Sequence, residues 1–331
     1  MEKLKQRLGK NNAIENVLND RHVDDQEQEL ADDTDAFTNS ASSELEVDIS
    51  LRLKLSESSN SVHEKNCSGV YNEESKEIHV PDFDSENPMS GRTVFEIIST
   101  DTIKDGHSNF VIYRILLTKS SIVDPNPVVV ERRYSDFQLL HQNLHKHFNE
   151  QMDVISFPKK RLFGNFTPKT IAKRSRAFEQ YLTHLYTIDE IRFSQVFLDF
   201  FCLADLKEAY NSMLDVEYEK AITFFQKVLL IQEKILGFLN LKIGETLCAL
   251  VSCCQTVEDD MMGLKYGRQA LKCYANHEEN KYYLPLLQSC VHLCWKTGED
   301  KAKLEEILNQ RKRDSKDLPS LLSVVHSSVI L

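Results

Sequence analysis

The sequence predicts an α+β protein: a three-stranded antiparallel sheet with helices, then an all-α unit of helical hairpins, with a disordered acidic tail in front. Three observations predict it. Of the 51 acidic and 40 basic residues, 21 acids but only 9 bases fall in residues 1–90. Short β-branched and aromatic runs separated by turn residues cluster between residues 93 and 134. Beyond about residue 206 nearly every stretch has helical periodicity.

Taken in order, residues 1–90 are rich in Ser, Asn and Asp, and such a composition cannot bury enough apolar surface to offset its chain entropy. One island, Leu45 to Leu55, alternates apolar and polar residues and reads either as a short docking strand or as a chance pattern. Residues 91–205 form the second segment. "TVFEIISTD", "NFVIYRILLTK" and "PVVVERRY" read as three successive strands, with "DGHSN" and "SSIVDPNP" as the connecting loops. Ser135 is the expected N-cap of a helix that puts Phe137, Leu140, Leu144 and Phe148 on one face. "ISFPKKRLFGNFTP" reads as an irregular loop, Thr167 with Pro168 as the start of a longer helix, and "SQVFLDFFCL" as a short closing helix.

Residues 206–315 read as helices. Ala221 and Val228 recur as Gly263 and Ala270 with a period of 42. These are small-residue slots of the kind at which antiparallel helices approach closely in tetratricopeptide-type arrays. Residues 316–331 are assigned as a C-terminal tail, although "SLLSVVHSSVIL" is apolar.

Composition excludes several function classes. No run approaches the roughly 18 apolar residues of a membrane span, and residues 1–18 lack a signal-peptide core. The eight cysteines lie mostly in helical apolar patterns, which fits reduced, buried thiols. His141 and His145 have a zinc-compatible spacing but no matching acid or cysteine, so a polar helix face is expected and no metal. No phosphate-cradling or nucleophile motif is present, and neither an enzyme nor a cofactor is expected.

The sharpest anomaly is basic. Residues 132–176 carry ten bases against three acids and so predict an anionic partner. No nucleic-acid module fits the strand–strand–strand–helix order. Instead "RRYSDF", "FPKKRLFGNF" and "AKRSRAFEQYL" each set cations beside an aromatic ring or a stiffening proline, as recognition of a phosphorylated polyol requires. Arg132 is expected to face away from Arg133, and Asp136 to be a first-turn helix charge.

These three motifs, in this order, resemble the phox-homology (PX) domain, the phosphoinositide-binding module of sorting nexins. With the acidic tail and the helical C-terminal unit, the chain resembles the sorting nexin 20/21 subfamily over about residues 91–315. The resemblance implies that Arg133 grips a 3-phosphate, Tyr134 stacks under the inositol ring and Arg174 bonds ring hydroxyls. Lys160 or Lys159 would meet the 1-phosphate. Leu162 and Phe163 follow the basic run and are candidates for insertion into the headgroup layer, while Phe166 either joins them or packs under the next helix.

The expected function is a peripheral adaptor on the cytoplasmic face of the early endosome. It binds phosphatidylinositol 3-phosphate, and possibly other phosphoinositides, through residues 91–205, and the tail of a cargo or another trafficking protein through residues 206–315. The alternative is a protein-interaction scaffold with weak or no lipid binding.

Overall fold

A computed structural model describes residues 91–106, 108–120, 124–161, 163–312 and 318–329. The acidic tail, the Leu45–Leu55 island and Leu162 lie outside the described residues. Three strands form an antiparallel sheet in the order β1-β2-β3: β1 Thr93–Asp105, β2 Ser108–Lys119 and β3 Val128–Arg133. Gly106, at φ 57°, turns the chain between the first two, a backbone region in which most side chains are strained. Alternation decides the faces. Phe95, Val111, Tyr113, Ile115, Leu117, Val128 and Val130 are buried, and an irregularity between Ile97 and Ser99 resets the register of β1.

Four helices follow, α1 Tyr134–His147, α2 Asn149–Asp153, α3 Pro168–Thr187 and α4 Asp189–Arg192, of which α1 packs on β2 and β3 and α3 on β1. The core between them is aromatic. Phe137 of α1 stacks on Phe178 of α3 at 3.8 Å between centroids, and Tyr113 meets Phe178 edge-on at 5.1 Å.

Two helix starts test the capping expectations. Thr167 caps α3 as expected, its Oγ1 accepting from the Thr170 N–H at 3.3 Å with Pro168 in the first turn. Ser135 does not cap α1. Arg133 keeps extended backbone (φ −92°, ψ 167°) and is the N-cap, because the Asp136 carboxylate reaches back to accept from the Arg133 N–H at 2.7 Å. Strand and helix therefore join with no intervening loop.

A second correction concerns α5, Gln195–Leu214, expected as a short closing helix ending before residue 206. It is 20 residues long and buried on almost every side, including Phe197, Phe201, Leu206, Ala209 and Met213. One flank packs against α1 and the other against α6, so a helix that is apolar all round serves two cores. The chain then reverses at Val216, at φ 66°.

Helices α6 Tyr218–Leu236, α7 Leu241–Thr256, α8 Asp260–Cys273, α9 Tyr283–Thr297 and α10 Ala302–Lys312 follow, each packed on its predecessor as a run of helical hairpins. Ala221, Val228, Gly263 and Ala270 are all buried. The tightest contacts fall on other glycines. A Cβ on Gly244 would lie 2.8 Å from the Tyr274 ring, and one on Gly267 would lie 2.6 Å from Cys290 Sγ. The segment assigned as a tail contains α11, Leu321–Val329, whose Leu321, Val324 and Val325 are buried against α7 and α9. The Tyr282 hydroxyl and Ser328 Oγ, 2.7 Å apart, fix its far end.

The sheet and the hairpin array are joined by a buried polar knot. Lys234 of α6, 3% exposed, pairs with Asp124 at 2.5 Å. The Thr93 hydroxyl and the Lys119 ammonium both donate to the Lys234 carbonyl, at 2.5 and 2.8 Å. Burial alone would raise the Asp124 carboxyl pKa. Hydrogen bonds from Lys234 and from the N–H groups of Asn126 and Lys119 outweigh it and hold that carboxyl below its usual range.

Candidate functional site

The strand–helix junction sets the site. Arg133 is the last residue of β3 and Tyr134 the first of α1, so the two side chains leave from a fixed corner. The Arg133 guanidinium lies over the Phe110 ring at 4.8 Å, and Phe110 is next to its cross-strand partner Ile112 by two residues on the same face. Arg132 points to the opposite, helix-covered side, as alternation demands. It donates to the carbonyls of Phe200 and Phe201, at 2.5 and 3.0 Å, and so fastens α5 to the sheet.

Tyr134 ties three elements together. Its hydroxyl donates to the Pro158 carbonyl at 2.8 Å, which fixes the start of the basic loop. The Arg174 guanidinium of α3 lies over its ring at 4.6 Å. Phe157 and Phe178 border it at 5.9 and 6.0 Å. Lys159 follows Pro158 and is exposed, and Lys160 is half-buried.

Arg174 is the unusual member. It is 7% exposed, yet among the described residues no carboxylate pairs with it. Its Nη2 donates to Asn165 Oδ1 at 2.6 Å, its guanidinium lies over the Tyr134 ring, and the Tyr113 hydroxyl is beside it. It also acts on Tyr113: burial holds that hydroxyl's pKa above its usual value, and the guanidinium offsets only part of the rise. A buried cation with only neutral partners is costly in an apolar setting, and an arriving anion relieves that cost.

Asn165 escaped the sequence reading. The dipeptide "GN" inside "LFGNF" was the available signal, since Gly-Asn marks a turn able to direct an amide inward. Phe163 is exposed at 68%, whereas Phe166 packs against the core, which separates the two aromatics of that loop. His141 is held by structural neighbours: Tyr181 Oη lies 3.2 Å from its Nδ1 and Phe157 stacks on its ring at 4.7 Å. Among the described residues no group of His, Cys, Asp or Glu side chains is arranged to hold a metal.

Tyr134 thus joins the strand end that carries Arg133, the start of the loop that carries Lys159 and Lys160, and Arg174 of α3. The PX domain family matches residues 121–203, the part of the chain that holds all five. Sorting nexin-20 of Bos taurus is 35% identical over 219 residues, covering 66% of this chain and 69% of that protein. Sorting nexin-21 of Mus musculus is 34% identical over 247 residues, covering 72% and 67%. Sorting nexin-21 of Homo sapiens is 35% identical over 219 residues, covering 65% and 58%. With a PX domain match and sorting nexin relatives about 35% identical over two thirds of the chain, the chain belongs to the sorting nexin family.

Proposed function

We propose that this protein is a peripheral adaptor of membrane trafficking that binds phosphatidylinositol 3-phosphate on the cytoplasmic face of early endosomes. Residues 91–205 take the headgroup and residues 206–315 take a cargo tail or another trafficking protein. The observation that carries this reading is the buried Arg174, held over Tyr134 with no carboxylate partner among the described residues. Arg133 grips the 3-phosphate, Tyr134 supports the inositol ring, Arg174 meets ring hydroxyls, and Lys160 with Lys159 meets the 1-phosphate. Phe163 enters the headgroup layer once the cations are engaged, so that specific and apolar contacts add at one surface.

The hairpin array supports the adaptor half of the reading. Trp295 of α9 is 67% exposed, and an exposed tryptophan on an array of stacked helices suits protein recognition. The test is flotation of the full chain with phosphatidylinositol 3-phosphate vesicles. Arg133→Ala is expected to weaken flotation at least tenfold, the scale of one charge-assisted contact. Undiminished flotation removes Arg133 from the pocket, whereas a wild-type chain that does not float favours a scaffold with little lipid binding.

A further inference from the structure

We infer that Asn165 is a positioning residue for headgroup recognition, holding the Arg174 guanidinium and the Lys159–Lys160 loop in one frame without itself meeting the ligand. The inference rests on the lipid-binding reading above. Asn165 is 7% exposed, and its amide makes three contacts. Its Oδ1 accepts from Arg174 Nη2 at 2.6 Å and from the Arg161 N–H at 3.3 Å, and its Nδ2 donates to the Arg161 carbonyl at 2.8 Å.

These contacts complete a circuit. Tyr134 holds Pro158, Asn165 holds Arg161, and Arg174 touches both Tyr134 and Asn165. Lys159 and Lys160 are therefore suspended between two anchored residues, and the loop that carries them is registered against the arginine of α3. The turn that aims Asn165 inward is itself fixed. Gly164 sits at φ 71°, and the Thr167 hydroxyl donates to the Gly164 carbonyl at 3.2 Å before α3 begins.

The chemistry favours an amide here. An Asn or Gln side chain accepts from a guanidinium through its oxygen and donates to a carbonyl through its separate NH2 group while bringing no charge. A carboxylate at the same place would satisfy Arg174 as a counter-ion and compete with the incoming phosphate. The neutral amide orients the cation and leaves its charge available.

The test measures partitioning of the full chain onto phosphatidylcholine vesicles that contain either phosphatidylinositol 3-phosphate or phosphatidylserine at matched charge. Asn165→Ala is expected to lose about tenfold on the phosphoinositide vesicles, the worth of one hydrogen bond to a charged group, with partitioning onto phosphatidylserine unchanged. In an Arg174→Met background the same substitution is expected to add less than a further twofold, because its effect runs through Arg174. Wild-type partitioning by Asn165→Ala, equal loss on both vesicles, or losses that multiply in full in the double variant would overturn the inference. If Asn165→Ala fails to fold, Asn165→Asp keeps both acceptor contacts and is expected to lose at least tenfold on the phosphoinositide alone; wild-type behaviour there overturns it equally. A wild-type chain with no preference between the vesicles is a different result, which removes the headgroup reading and this inference with it.

Discussion

Tyr134 is a helix start, a core neighbour of Phe178 and the anchor of the basic loop. His141, behind that loop, stacks on Phe157 and faces Tyr181 and His145. Burial, with a smaller push from His145, lowers its pKa below 6.5. The unfolded chain therefore takes up this proton before the folded one does. The contribution of His141 to stability is complete above about pH 6.5 and is lost as pH falls from there through the lowered folded value. Urea midpoints measured between pH 7.5 and 5.5 should fall more steeply for wild type than for His141→Gln; equal slopes would assign the pH dependence elsewhere. At this scale the sequence was readable where a motif combined charge with stiffness, as in "RRY" and "FPKK". It was silent on Asn165, because one amide in a turn looks like any other until its three partners are in place.

Among the elements, the departures from expectation share one cause: local patterns do not reveal what packs on the far side. The pattern of α5 read as a short apolar helix because nothing in ten residues says that two cores will use it. Ser135 lost the cap to Arg133 because the Asp136 carboxylate competes for the same turn from three residues on. The 42-residue recurrence pointed to α6 and α8, yet a Cβ on Gly263 comes no nearer than 3.4 Å to its neighbours, and the tighter glycines are Gly244 of α7 and Gly267 of α8. Gly244 faces the buried ring of Tyr274, which cannot move aside without opening the core. Gly244→Ala is expected to destabilise the array by about 1–3 kcal/mol, the usual cost of overpacking, and to do so despite alanine's better helix propensity. A denaturant midpoint equal to or above wild type would show that α7 and α8 can separate cheaply.

For the whole molecule, the issue is how firmly the lipid module and the hairpin array are joined. The Lys234–Asp124 pair, with Thr93 and Lys119 on the same carbonyl, fixes α6 to one end of the sheet, and Arg132 fixes α5 to β3. None of this was legible in the sequence, since Asp124 and Lys234 are 110 residues apart in unremarkable contexts. Asp124→Ala leaves a buried ammonium without its counter-ion and should cost about 3–5 kcal/mol. Replacing the pair together, as Asp124→Leu with Lys234→Met, should recover much of that loss, whereas a double variant as unstable as the single one would show that the pair itself is favourable. Such a joint holds the array at a set orientation relative to the sheet.

The central claim is that the corner of Arg133, Tyr134, Lys160 and Arg174 reads a phosphorylated inositol and not merely negative charge. The most direct measurement compares equilibrium partitioning of the full chain on vesicles of equal surface charge, made with phosphatidylinositol 3-phosphate or with phosphatidylserine. The account predicts a clear preference for the phosphoinositide that Arg174→Met abolishes. Equal partitioning of the wild-type chain on the two surfaces would contradict it.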